Sequence, residues 1–285
     1  MKNLIMILLC CSSLIAVAQQ KTDKKIKVAI VAYPGMELID YSGPTDVFGM
    51  ASEITEGQYS VYTVAENPQP VKTVNTHTTI LPDYSFYNMP KPDILVIPGG
   101  DIKNIDSLIS DKRILSLIKK YNADSSVKIM SVCTGAYLLA ATGLLNNKRA
   151  TTHFFVTDDF AERFPSVTLV KNVRYVDEGN IITSSGVTSG IDAALHVVKE
   201  NSGEYVADIV ARALQYTPHE KEAWPQPLKK MHYKDSSVTK NVCAVCGMKA
   251  NGKIETEYKG KTYYFCSDQC KNIFLRNPDE YVSLK

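Results

Sequence analysis

Unbroken apolar runs alternate along this chain with stretches whose apolar positions recur every three or four residues. Ile26 to Tyr33 (IKVAIVAY) is nearly continuous in apolar character, as a strand buried on both faces must be. Tyr59 to Ala65 alternates and reads as a strand. Ile94 to Ile97 is a short buried strand stopped by Pro98-Gly99-Gly100. Val127 to Val132 is another, followed at once by Cys133-Thr134-Gly135 and the helix-like Ala136 to Ala141. Ile181 to Thr183 ends in Ser184-Ser185-Gly186, after which Ile191, Ala194, Leu195 and Val198 fall at helical spacing. Helical patterns also cover about Ile105 to Tyr121 and Glu204 to Gln215. Strands alternating with helices predict an α/β sandwich around a mostly parallel sheet. In such sheets the chemistry sits at the carboxyl ends of the strands, where Gly99-Gly100, Cys133 and Ser184-Ser185-Gly186 all fall.

The ends of the chain read differently. Lys2, the apolar run Leu4 to Val17 and the small-x-small Ala16-Val17-Ala18 form a secretory signal over 1–18, cleaved after Ala18. A lipid anchor on Cys10 or Cys11 is disfavoured, because Leu9 and Cys10 precede them where a small residue is usual. No stretch has the length of a membrane span. The expectation is an exported protein, periplasmic in a Gram-negative host. The α/β pattern, assigned to 19–216, stops near Tyr216. Residues 217–241, with three prolines and five lysines, read as a linker, and 242–285 form a second unit.

Composition changes this picture little. The 285 residues are 45% hydrophobic and 22% charged, which excludes a disordered or fibrous chain, and the net charge of +2 does not suggest a dedicated nucleic-acid binder. Glycine-rich nucleotide loops and the HExxH zinc motif are absent.

Cys133 stands where a buried strand turns into a helix, so helix N-terminal N–H groups would favour its thiolate. The residues alone leave two readings, an activated thiol or a small buried hydrophobe. Asp40, before Ser42-Gly43-Pro44, reads equally as a turn or cap residue.

The segments YPGMELIDYSGPTDVF (33–48), LVIPGG (95–100), SVCTGAYLLAATGLLNNKRATTH (131–153) and SSGVTSGIDAALHVV (184–198) resemble the ThiJ/PfpI superfamily, of class I glutamine amidotransferase-like fold. Within it they look most like the isonitrile hydratases and the amidase-like domains of AraC-type regulators. The resemblance implies a flavodoxin-like three-layer sandwich, with Cys133 as nucleophile, Asp40 as a protonated acid beside it, and Thr134 offering a hydroxyl. It implies that Gly99 and Gly100 give N–H groups to developing negative charge, that His153 lines the site and that Asp192 orders loops near it. His196 reads as packing or surface. Protease-like members carry His directly after the cysteine. Thr134 takes that place here, which points away from a Cys–His peptidase. Phe154 stands where the hydratase branch usually has Trp. Members often dimerise, so a homodimer is expected. A DNA-binding regulator is not, since no helix-turn-helix region follows.

In the second unit, Cys243-x2-Cys246 and Cys266-x3-Cys270 flank a hairpin-sized span, with a turn signal at Asn251-Gly252 and strands flanking Lys259-Gly260. Two close pairs suit a tetrahedral thiolate site better than two disulfides, the alternative for an exported chain. The words VCAVCGM, YKGKTYYFCSDQC and NPDEYV resemble the YHS/TRASH metal-binding domains. That resemblance makes the four cysteines ligands for Zn²⁺ or Cu(I), with Tyr263, Tyr264 and Phe265 as core. The function expected is an exported, cysteine-dependent hydratase or amidase-like enzyme acting on a small molecule, with a metal-binding tail. The alternatives are a metal-handling or metal-sensing protein with a degenerate α/β domain, or a redox-sensing, deglycase- or glyoxalase-like protein using Cys133.

Overall fold

The computed structural model describes residues 25–219, 243–245 and 250–281, which fall into two compact units. The expected leader at 1–18, most of the expected linker and Cys246 lie outside the described residues. Among the described residues no helix is long and apolar enough to cross a membrane.

The first unit is built on a seven-stranded sheet. In chain order its elements are β1 (Ile26–Val31), α1 (Leu38–Ile54), β2 (Tyr59–Ala65), β3 (Tyr84–Ser85), β4 (Ile94–Ile97), α2 (Ile102–Leu108), α3 (Lys112–Asn122), β5 (Lys128–Val132), α4 (Gly135–Ala141), α5 (Thr157–Arg163), β6 (Tyr175–Asp177), β7 (Ile181–Ser184), α6 (Ser189–Ser202) and α7 (Glu204–Ala213). The spatial order is β6-β7-β5-β4-β1-β2-β3, and every pairing is parallel except β6 with β7. This is the flavodoxin-like sandwich expected.

The apolar runs follow from two-sided burial. In β1, Ala29 and Val31 join the cluster under α2, α3 and α4, while Val28 and Ile30 join the one under α1, α6 and α7. Chain order reverses at β1, which lies between β2 and β4, so the crevice opens beside the ends of β1 and β4. Register brings the neighbouring strand ends level: Ile97 lies opposite Ser131, and Val132 opposite Ser184.

Two expectations about helices need correction. Asp40 lies in the first turn of α1, not in a turn before a break, and Pro44 lies inside that helix. Proline normally breaks a helix interior, but Gly43, Val47 and Ala51, with Pro44 and Phe48, form one buried face. A Cβ on Gly43 would stand 3.0 Å from Ile191, so the glycine lets α1 approach α6. Packing overrides the local breakers. The single helical pattern from 105 to 121 is two helices, because the Asp111 side chain accepts from the Arg113 N–H and starts α3 afresh.

The second unit holds the hairpin β8 (Asn251–Tyr258) and β9 (Lys261–Phe265), then α8 (Asp268–Arg276) and α9 (Pro278–Tyr281). Lys259 and Gly260 both take positive φ, 48° and 74°, as a tight two-residue hairpin turn requires. Asn251-Gly252 is not a turn. Asn251 pairs with Phe265 at the start of β8, and an irregularity before Glu255 absorbs the glycine. Ser267 caps α8, and Phe265 and Phe274 fill the core, with Tyr263 against them.

Candidate active site

Three strand ends build the site. After β5 the chain turns sharply into α4, and Cys133 takes φ 57°, a left-handed conformation that non-glycine residues adopt at a cost of roughly 1–3 kcal/mol. The turn is held on both sides: the Cys133 N–H donates to the Ser184 carbonyl at 2.9 Å, and the Thr152 hydroxyl donates to the Cys133 carbonyl at 3.0 Å. This is the strand–turn–helix elbow that lifts a nucleophile out of a sheet.

The loop after β4 supplies the opposite wall. The Gly99 N–H donates to Asp40 Oδ2 at 3.1 Å, and the Gly100 N–H donates to Thr134 Oγ1 at 2.8 Å. The Thr134 hydroxyl in turn donates to the Gly100 carbonyl at 2.9 Å. A Cβ on Gly99 would come within 2.6 Å of Thr134 and 2.8 Å of Asp40 Oδ2, so only glycine fits between them. Both amides expected to serve a developing anion are therefore engaged, one by the acid and one by the hydroxyl. The Thr134 hydroxyl is likewise committed to the loop.

Asp40 is fully buried, and its Oδ1 has no hydrogen-bond partner. Burial pushes the carboxyl up to about 8, with Glu37 adding to the rise, while Cys133 and the Gly99 N–H hold it back. Burial and the neighbouring Asp40 charge also push the Cys133 thiol up, against the pull of the Thr134 N–H. The helix N-terminus alone does not make this a low-pKa thiol, as the sequence suggests. The two groups titrate as a pair.

His153 follows Thr152 beside the elbow. Burial lowers its pKa to about 4, so it is neutral at pH 7. Its ring rests against Phe154 and Phe155 at 4.7 and 5.5 Å.

Asp192 does not join the donors around Cys133. It is fully buried, with Arg174 Nη2 at 2.5 Å and Nε at 2.7 Å from its Oδ2. The Tyr216 hydroxyl donates to the same oxygen, and the His219 N–H donates to Oδ1. Arg174 also donates to Thr188, and its carbonyl accepts from the Ser185 N–H. These bonds fix the residues on both sides of Gly186, the loop that touches Cys133. Sequence reading misses Arg174, Thr152 and Gly186 as site residues. Gly186 carried a signal in its place at a strand end, and Thr152 in the segment 131–153 that carries the resemblance. His196 pairs with Asp177 at 2.8 Å, both side chains partly buried.

In the second unit the sulfurs of Cys243, Cys266 and Cys270 lie within 4.8 Å of one another. Cys266 and Cys270 are 3.5 Å apart, beyond a disulfide bond and near the ~3.8 Å edge of a tetrahedron with ~2.3 Å zinc–sulfur bonds. Cys270 sits in the first turn of α8, where the dipole favours thiolate. The three thiols fit a soft or borderline metal ion. The fourth expected ligand, Cys246, lies outside the described residues.

Residues 26–200 match the model of the DJ-1/PfpI family, and residues 244–285 match the YHS domain. The chain is 31% identical to the isonitrile hydratase of Pseudomonas putida over 194 residues, which is 68% of this chain and 79% of that protein. It is 27% identical to an HTH-type transcriptional regulator of Pseudomonas aeruginosa over 154 residues, 53% of this chain but 41% of the regulator. The crystal structure of a ThiJ/PfpI family protein from Pseudomonas syringae superposes with a TM-score of 0.61 at 29% identity, covering 72% of this chain and 79% of that one.

Proposed function

The chain belongs to the DJ-1/PfpI family, and from that premise we propose that its α/β unit is a cysteine-dependent hydratase that converts isonitriles into N-substituted formamides. The observation that carries this reading is the buried Asp40 carboxyl, one oxygen unpartnered, set beside Cys133 with no basic residue following the cysteine. A peptidase needs a base to activate its thiol. Here the carboxyl is the proton carrier, and the active form of the pair holds one proton between the two groups.

In that form Asp40 takes the thiol proton, and Cys133 sulfur bonds to the terminal carbon of R–N≡C. The Asp40 proton passes to the same carbon, giving the thioimidate R–N=CH–S–Cys133. Water adds at this carbon, the C–S bond breaks, the thiol regains its proton, and R–NH–CHO leaves. Atoms and charge balance, and no oxidant or reductant is needed. The neutral His153 and the aromatic pair Phe154–Phe155 offer the substituent R an apolar wall beside the elbow.

The second unit is proposed to hold Zn²⁺ or Cu(I) on Cys243, Cys266 and Cys270, with Cys246 as fourth ligand. Its cysteine cluster also favours a second reading, in which the protein handles metal and the α/β unit no longer turns over. Export, from Lys2, the apolar run and Ala16-Val17-Ala18, and a homodimer of α/β units belong to the same proposal.

Peptide mass analysis of the full chain after brief exposure to an alkyl isonitrile tests the enzymatic reading. The mass of one isonitrile on the Cys133 peptide, disappearing as formamide accumulates, supports it. An unmodified Cys133 with no formamide formed favours metal handling.

A further inference from the structure

Tyr33 lies two residues beyond β1 and is 4% exposed. Its hydroxyl donates to one acceptor, the Pro98 carbonyl, at 2.6 Å. A phenyl ring would fill nearly the same volume, so packing does not explain why a hydroxyl is buried here. What the hydroxyl touches does. The Pro98 carbonyl and the Gly99 N–H are the two ends of one planar peptide unit. The carbonyl end is held by Tyr33, and the N–H end donates to Asp40 Oδ2. On its other side the carbonyl is pressed by the start of α4, where a Cβ on Gly135 would come within 2.9 Å of it.

Building on the Asp40–Cys133 reading above, we infer that Tyr33 is a positioning residue: it fixes the Pro98–Gly99 peptide plane, so that this peptide's N–H stays on the Asp40 carboxyl. Without the hydroxyl the plane can rotate about its flanking bonds, and Asp40 Oδ2 loses the Gly99 donor. Among the described residues, the titratable groups acting on Asp40 are Cys133 on the elbow and Glu37 at the N-cap of α1, with Tyr33 behind the loop. None of these is a cation that would replace the lost donor.

The Gly99 N–H favours ionised Asp40, so its loss moves the first ionisation of the pair to higher pH. The experiment is peptide-resolved alkylation of Cys133 by iodoacetamide across pH, in the full chain, for wild type, Tyr33→Phe, Asp40→Asn and the double variant. It needs no isonitrile, so it stands apart from the choice of substrate. Tyr33→Phe should raise the midpoint of Cys133 reactivity by roughly half a unit to one unit, the preference one hydrogen bond confers on a protonation state. The same change in the Asp40→Asn background should shift nothing. Thermal unfolding of each variant separates loss of fold from loss of positioning. Superimposable profiles for wild type and a folded Tyr33→Phe, or an equal shift in both backgrounds, would overturn the inference.

Discussion

Gly186 faces Cys133 with no room for a side chain: a Cβ on Gly186 would stand 2.4 Å from the cysteine Cβ and 3.0 Å from its sulfur. Gly186 also takes φ 64°, so alanine there is strained in backbone as well as in contact. Gly186→Ala should cost roughly 1–3 kcal/mol of stability and move the sulfur. Urea unfolding reads the first effect. A lowered rate of Cys133 alkylation reads the second.

Asp40 gives the protein a pH dependence of known sign. Its folded pKa, about 8, lies above its ordinary value of 3.8. Between those values the folded state holds a proton that the unfolded chain has released, so stability falls as pH rises. The contribution is fully present below about 4 and gone above about 8. Asp40→Asn should flatten that slope, gaining on the order of a few kcal/mol relative to wild type at the alkaline end. Denaturant midpoints measured across the window check it. A wild-type slope that survives the substitution would place its source elsewhere.

The buried Arg174–Asp192 pair clamps the residues that flank Gly186. Asp192→Asn leaves Arg174 buried without its counter-charge, and about 3–5 kcal/mol of stability should be lost. Tyr216→Phe removes one donor from the same oxygen and should cost about 0.5–1.5 kcal/mol. Chemical unfolding of the two variants tests the ranking. The reverse order would mean that the tail, not the ion pair, holds the Gly186 loop.

Metal should protect the cysteine cluster. With Zn²⁺ bound, Cys266 and Cys270 should resist alkylation. A strong chelator should expose them and loosen the small core of Phe265 and Phe274. Cys270→Ala should lower metal occupancy in elemental analysis. Equal alkylation with and without zinc would remove metal binding from the account.

The strands were legible because burial on both faces leaves a plain mark, as in Val28 and Ala29, which serve opposite cores. Cys133 was legible from its place between β5 and α4, and Asp40, Gly99 and Thr134 from resemblance. Helix α1 was hidden by Gly43-Pro44, whose cost is met by packing on Ile191, which is distant in sequence. The Arg174–Asp192 pair spans eighteen residues and two elements, and nothing local marks either side chain as the other's partner. The engagement of the Gly99 and Gly100 amides was invisible because it depends on where α1 and α4 bring their side chains.

In the proposed mechanism Cys133 and Asp40 share one working proton. Formation of N-formamide from an alkyl isonitrile, followed across pH for wild type, Cys133→Ala and Asp40→Asn, tests it most directly. Cys133→Ala should show no turnover, Asp40→Asn should lose roughly 10²–10⁴-fold, and the wild-type rate should climb as pH rises through about 8. Turnover that survives Cys133→Ala, or a wild-type rate indifferent to pH in that range, would contradict it.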